Sequence, residues 1–417
     1  MNTLYRKLIL LTVIPFSLSA SSLKDIMHVA LENSTTIKSM NYDIQAKEQT
    51  LKSVSNTLNP TINIGANYNR LDLDVRSTQV GSTTNGYIKF GIDLYDGGRN
   101  NSIKKQKKYE LDSTKLSVKN STKEILLQVV TLFFQIKTVD ETIKSYEEKS
   151  KSLEAEYRRE KNKYDINMVT IDEVLKLQSE YESNNYTIED LKYQRDSLYE
   201  NLSLLVGVKI TSLDDSKLPE VSNIEYRVSS NIKSLQKNIQ AINENISLVN
   251  ATKKPKIKIE DSVSIYHYGN YNESILKDLP DTQNQFMISF SLNLYDSSTA
   301  SKKESAMLAK LAKNEQLNYE MKKEKIAFNL AKRKLSTQMI KIKSAKSAME
   351  MGDSVYEIIL TKYKNGIVDN IAYLDALSKK TTNRALYIQA LNNYEIAKAN
   401  YYFTSGIDYE KVINMNF

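Results

Sequence analysis

The sequence predicts a mainly α-helical protein with a small β part, a tandem repeat of long coiled-coil helices and four short strands. Three observations predict it: scarce chain-breaking residues, four alternating segments, and one pattern that occurs twice. The 417 residues include 11 Gly and 5 Pro, where average usage gives about 29 and about 21. From Arg99 to Val206, and again from Asp281 to Met351, there is neither. Ordinary domains turn every 10 to 15 residues or so, so these runs predict very long helices and argue against a doubly wound α/β fold, collagen or proline-rich disorder.

The chain opens with Arg6 and Lys7, an apolar run from Leu8 to Leu18, and the small residues Ser19, Ala20, Ser21 and Ser22. That layout predicts a secretory signal peptide over residues 1–21. Its apolar run is shorter than the roughly 20 residues a membrane helix needs. No later stretch is long and apolar enough, so an exported chain of this kind is soluble or enters an outer membrane as strands.

The repeat sets the organisation. Ile44–Asn59 before Pro60 is answered by Ile239–Lys254 before Pro255, Leu94-Tyr95-Asp96 by Leu294-Tyr295-Asp296, Lys163-Tyr164 by Lys362-Tyr363, and Gly207 by Gly406, at offsets of 195 to 200 residues. The expected units are residues 22–218 and 219–417, each a helix, two strands and two long helices, the second with a short C-terminal tail. Their long helices are expected to run to 206 and 405.

The expected strands, about 61–75, 86–95, 256–268 and 285–295, alternate apolar and polar residues. Examples are Ile62, Ile64, Ala66 and Tyr68 against Asn63, Gly65 and Asn67, and Phe286, Ile288 and Phe290 against Met287 and Ser289. Period two marks a sheet with one apolar face. Asp261 breaks the apolar side of the third strand without evident reason. In the helices, Ile125, Val129, Leu132, Ile136, Val139, Ile143 and Tyr146 step by fours and threes, and Leu126, Val130 and Phe133 form a second stripe beside them. Two stripes predict a helix packed on more than one side. Gly352, inside a helix, has no evident role.

Composition also excludes functions. With no Cys there is no disulfide, thiolate metal site or cysteine nucleophile. His28 and His267 stand far apart, and no Gly-rich loop cradles phosphate. The chain is therefore expected to be no enzyme and to hold no metal or cofactor. The net charge of +8 is spread along the chain with both signs interspersed, which describes solvated helix faces and not a nucleic-acid partner.

Four strands of this length suit an outer membrane but cannot close a barrel of at least about eight, so strands of several chains share one, eight from a dimer or 12 from a trimer, unless the sheet packs on a soluble domain instead. The signal segment, the duplicated unit, the strand pairs, and the helix breaks at Lys163–Val169 and Lys362–Val368 resemble the TolC family of outer-membrane efflux proteins. The resemblance covers Leu23 to about Asp408. It implies a homotrimer in outer-membrane lipid, a 12-stranded β-barrel continued by an α-helical periplasmic tunnel. It also implies a periplasmic adaptor (membrane fusion protein) and an inner-membrane pump as partners. The function implied is a passive conduit of a tripartite efflux or type I secretion system, for drugs, peptides or proteins.

The same resemblance makes the helix breaks the periplasmic tips where adaptors dock: Tyr164, Asn167, Met168 and Val169 in the first repeat, Gly366, Ile367 and Val368 in the second. Asn167 stands where the family has Gly, a mild change because Asn tolerates a left-handed turn. Asp375 matches a pore-facing position, Asp172 and Glu173 occupy the matching stretch of the first repeat, and Tyr363 and Asp369 are further gate candidates. Val368 and Ala372 replace a family Arg and Asp, so fewer charged links are expected to hold the tip shut. With no Trp, Tyr68, Tyr87, Tyr95, Tyr266, Tyr268 and Tyr295 are expected to supply the barrel's interfacial aromatics. The competing reading is an exported structural or adhesive coiled coil of the envelope; a periplasmic adaptor fits poorly, having one hairpin and not two.

Overall fold

The structure, a computed structural model, describes residues 22–55, 60–71, 79–221 and 223–413; the expected signal peptide and the last four residues lie outside them. In order the elements are α1 (Leu23–Asn33), α2 (Thr35–Ser53), β1 (Thr61–Arg70), β2 (Ser82–Tyr95), α3 (Arg99–Asp165), α4 (Ile171–Val206), α5 (Ser230–Ala251), β3 (Lys256–Gly269), β4 (Thr282–Ser291), α6 (Ser298–Lys364), α7 (Asn370–Thr404) and α8 (Tyr409–Ile413). Helices α3 and α6 have 67 residues each, about 100 Å at ~1.5 Å per residue. Among the described residues no helix is long and apolar enough to cross a membrane. Two compact units result, residues 1–42, 117–232 and 320–417 in one and 43–116 with 233–319 in the other. Each draws on both halves of the sequence.

The second unit holds one antiparallel sheet in the order β1-β2-β3-β4. Its register lines up rows such as Ile62, Phe90, Asp261 and Phe286, with Ile64, Ile88 and Val263 beside them. Ile62, Ile64, Ile88, Val263, Ile265, Phe286, Ile288 and Phe290 are each about half exposed or more, so one whole face of the sheet is an uncovered apolar wall. The opposite face carries Asn63, Lys89, Ser262 and Gln285 at one level. There Glu260 bonds Lys89 at 2.9 Å and Lys258 at 2.7 Å.

Strand ends differ from the alternation for a pairing reason. β2 starts at Ser82 because Arg70 and Gly269 both pair with it. β4 stops at Ser291, opposite Lys256, the first residue of β3; Pro255 before it has no N–H to extend the ladder. Leu292–Tyr295, though alternating, thus lie outside the sheet.

The register divides the expected tyrosines between the two faces of the sheet. Tyr87 lies opposite Ser264, Tyr266 opposite Asn85 and Tyr268 opposite Thr83, all on the polar face. Tyr266 and Tyr268 stack there, centroids 5.8 Å apart. Tyr68 is on the apolar side, and an irregularity between Asp93 and Tyr95 brings Tyr95 opposite Ile257, on the apolar side too. Tyr295 is beyond the strands.

In the first unit α1 buries Leu23, Ile26, Met27 and Ala30 against Val129, Val130, Phe133 and Ile136 of α3, Leu202 and Val206 of α4, and Phe403 of α7. Burial of such side chains stabilises by about 1.5–3 kcal/mol each. Both sequence stripes of α3 are used, since Ile125, Val129, Ile136 and Ile143 are buried along with Leu126, Val130 and Phe133. Gly352 finds its reason here. A Cβ on it would lie 2.8 Å from Nδ2 of Asn383 on α7, whose amide donates to the Ala348 carbonyl of α6 at 2.9 Å. The glycine leaves room for a cross-helix hydrogen bond.

Candidate functional site

The two helix breaks fold alike. In the first, the Asn167 amide donates to Tyr164 O and the Met168 amide to Lys163 O, both at 2.8 Å; in the second, Gly366 donates to Tyr363 O at 3.0 Å and Ile367 to Lys362 O at 2.9 Å. These paired bonds satisfy the last helix carbonyls and require a left-handed residue, supplied by Asn167 at φ 56° and Gly366 at φ 73°. Asn for Gly therefore leaves the turn unchanged. Met168 and Ile367 project, 69% and 68% exposed. Tyr164 is partly exposed, Val169 is half-buried, and Val368 packs against the apolar cluster behind the tip.

The carboxylates have separate tasks. Asp369 caps α7, accepting from the Ala372 amide at 3.0 Å. Asp172 sits in the first turn of α4, where the Thr170 hydroxyl, its own backbone amide and nearby Lys176 hold its carboxyl below the usual range. Lys176 lies 3.6 Å from Asp172 and 3.8 Å from Glu173, and the Glu173 carbonyl accepts from Asn370 of α7 at 3.2 Å. Asp375 is exposed but paired with Lys379 one turn on, at 2.8 Å. Asp172 and Glu173 thus share Lys176, while Asp375 and Asp369 have separate partners.

Tyr363 occupies the centre. It is 8% exposed, stacks on Tyr373 of α7 with centroids 4.8 Å apart, lies under the Arg159 guanidinium at 4.8 Å, and donates to Glu160 at 3.2 Å. Burial and the Glu160 charge push its hydroxyl well above the ordinary tyrosine value. Glu160 is itself buried, which raises its carboxyl, but Lys163 at 2.8 Å and Arg159 at 3.3 Å outweigh that and hold it low. Arg159 also reaches Glu156 at 2.9 Å; there burial dominates and the Glu156 carboxyl is raised.

Sequence reasoning named Tyr363 but missed Arg159, Glu160 and Tyr373. The run Tyr157-Arg158-Arg159-Glu160 reads as a solvated face, and its only signal was the heptad frame through Tyr157 and Tyr164. Val368 brings no cation to the tip, and Arg159 of α3 brings one to Tyr363 from the other hairpin.

Comparison with known proteins fits this architecture. Residues 26–208 match the sequence profile of a family described as outer membrane efflux protein. The fold is similar to that of the CmeC outer membrane channel of Campylobacter jejuni (TM-score 0.80, 14% identity, 92% of this chain and 85% of that one). It is also similar to that of a membrane protein from Pseudomonas aeruginosa (TM-score 0.79, 16% identity, 92% and 90%). The MtrE outer membrane channel of Neisseria gonorrhoeae, in its open state, follows with TM-score 0.75, 16% identity, and coverage of 92% and 88%. No curated protein sequence matches significantly. The fold is the TolC-like one, long helices with projecting hairpin tips joined to a small four-stranded sheet. The chain carries this fold across nearly all its described length, and residues 26–208 match the outer membrane efflux protein model.

Proposed function

We propose that three copies of this chain form the outer-membrane channel of a tripartite efflux or type I secretion system, a passive conduit for drugs, peptides or proteins delivered by an inner-membrane pump. The observation that carries the reading is the sheet: four strands with an uncovered Ile- and Phe-rich face and a polar Lys-Glu-Lys face. Such a wall is stable with lipid on one side and water on the other, and three sets of four strands supply a 12-stranded barrel. On this reading residues 1–21 direct export and are removed.

The tips are the docking points for a periplasmic adaptor, through Tyr164, Asn167, Met168, Val169, Gly366, Ile367 and Val368. Their exposed Met168 and Ile367 side chains are apolar knobs suited to a helical hairpin partner. Asp172, Glu173 and Asp375 line the entrance with their lysine partners, and Asp369 acts by setting the start of α7. The Arg159–Tyr363–Glu160 cluster joins the two hairpins of one chain and holds the entrance narrow. Reconstitution tests the reading: the full chain in a planar bilayer conducts, and a matching adaptor raises the open fraction. A chain released from cell envelopes by salt without detergent, with no conductance, refutes it in favour of a structural coiled coil.

A further inference from the structure

Tyrosines climb the polar face of the sheet. Tyr87, Tyr266 and Tyr268 stand opposite Ser264, Asn85 and Thr83 in turn, each level closer to the loop that joins β3 to β4, at the strand ends away from α5 and α6. Tyr87 lies across Gly65, where an added Cβ would stand 2.6 Å from its ring. Tyr266 and Tyr268 turn to each other instead, their planes 6° from parallel. Tyr271, in the loop, meets Tyr268 edge-on, with centroids 6.5 Å apart and planes at 77°. Two parallel rings and one perpendicular ring thus wall an open corner.

The corner is held in shape. The Tyr266 hydroxyl donates to Gln283 Oε1 at 3.3 Å and the Tyr268 hydroxyl to the Pro280 carbonyl at 3.1 Å. At the start of the loop, the Gly81 amide donates to Asn270 O at 3.0 Å. With both hydroxyls engaged, these rings offer a ligand their electron-rich faces.

The charge beside the rings is negative. The Asp281 carbonyl accepts from the Tyr266 amide at 2.8 Å. Because Thr282 pairs with Ile265 on the apolar face, Asp281, one residue earlier, falls on the polar face next to Tyr266. It is exposed, and among the described residues no Lys or Arg pairs with it. Residues 270–281 carry Glu273, Asp278 and Asp281 against Lys277 alone, all four exposed. Lys89 and Lys258 of the polar face lie farther from the loop and are held by Glu260. A hard metal ion needs several converging oxygens; aromatic faces beside a single carboxylate suit a large, weakly hydrated organic cation.

We propose that Tyr266, Tyr268, Tyr271 and Asp281 form a binding site for an alkylammonium group, with the rings packing on its methyl or methylene groups and Asp281 balancing its charge. The fixed rings lower the ordering cost of binding, and the acidic loop concentrates cations around them. The site stands on the geometry of the sheet; its place at the outer mouth of a channel rests on the conduit reading, where it is a last station for cationic cargo.

The chain has no Trp, so Tyr271→Trp gives a single fluorescent reporter in the full chain in detergent. At constant ionic strength choline shifts its emission saturably, with half-saturation at a concentration at least ten-fold lower than for 3,3-dimethylbutan-1-ol, its uncharged isostere. Adding Tyr268→Leu or Asp281→Asn raises the half-saturation for choline at least five-fold, whereas His267→Ala, on the apolar face, leaves it unchanged. Labelled choline retained by the unmodified chain in equilibrium dialysis shows that the Trp did not create the site. In planar bilayers, choline added on the loop side lowers single-channel current, and Asp281→Asn removes the block. A conducting protein whose reporter answers choline and the isostere alike, or is indifferent to Tyr268→Leu and Asp281→Asn, overturns the site and leaves the conduit. Selective choline binding by a protein that does not conduct upholds the site and overturns the conduit.

Discussion

Asp261 is the one carboxylate in the centre of the apolar wall, and its replacement gives a quantitative test of which face meets lipid. It lies opposite Phe90 on one side and Phe286 on the other, with Ile259 and Val263 before and after it on the same face. One of its carboxyl oxygens is shielded from solvent and has no hydrogen-bond partner. An unsatisfied buried acceptor costs about 1–3 kcal/mol, and acidic residues on the lipid face of a barrel cost somewhat less than the ~2–4 kcal/mol of a cation at mid-depth. Asp261→Leu is therefore expected to stabilise the barrel by about 2 kcal/mol per chain, roughly a thirty-fold change in the folding equilibrium. The neighbouring Glu260 is the control. It faces the other way between two lysines, so Glu260→Leu strips both of their partner and destabilises. The assay is urea unfolding of the barrel in lipid vesicles, followed by heat-dependent migration on a gel. A destabilised Asp261→Leu, or a stabilised Glu260→Leu, refutes the assignment of the faces.

Four further outcomes follow from the helical unit. Glu160→Gln or Arg159→Ala weakens the buried bonds on Tyr363, each charged bond worth about 1.5–3 kcal/mol, and raises the open fraction of single channels. Because the Glu160 carboxyl is held below its ordinary value of 4.5, the stabilisation it provides is complete above that value and fades as pH falls through the lower folded-state value; channel activity recorded against pH shows the rise, and Glu160→Gln flattens it. Gly352→Ala costs about 1 kcal/mol by displacing the Asn383 amide from Ala348 O; with Asn383→Ala also present the same change becomes favourable, by up to about 1 kcal/mol from helix propensity, in thermal melts. Asn167→Gly leaves the first tip unaltered while Asn167→Val costs about 1–2 kcal/mol for a left-handed β-branched residue, read as faster proteolysis at that turn.

The helices were the most legible part of the chain. Local signals fix them: an unbroken α3, stripes at Val129 and Phe133, and breaks at Asn167 and Gly366 all act within a turn or two. Strand faces were legible for the same reason, but strand ends were not. Whether Leu292–Tyr295 pairs depends on where β3 begins, far away in the sequence. The tyrosines show the same period-two signal, since Tyr266 and Tyr268 are in phase with Ser264 and out of phase with Val263 and Ile265, which puts them on the polar face.

At the candidate site, Tyr363 stood out in the sequence and its partners did not. Arg159 and Glu160 lie in a charge run whose composition equals that of any solvated helix face. Only when α6 folds beside α3 does one side of that run become buried under an aromatic ring. Likewise the role of Gly352 waited on Asn383 arriving from α7.

The sequence by itself determined the long helices, the four strands, their apolar faces and the tip turns, because each is set by neighbours three, four or two residues apart. Only the tertiary structure decided what covers those faces: Arg159 over Tyr363, Asn383 beside Gly352, Asp261 between Phe90 and Phe286. These pairings join residues from different elements, and their energies exist only once chain entropy has been spent to bring those elements together.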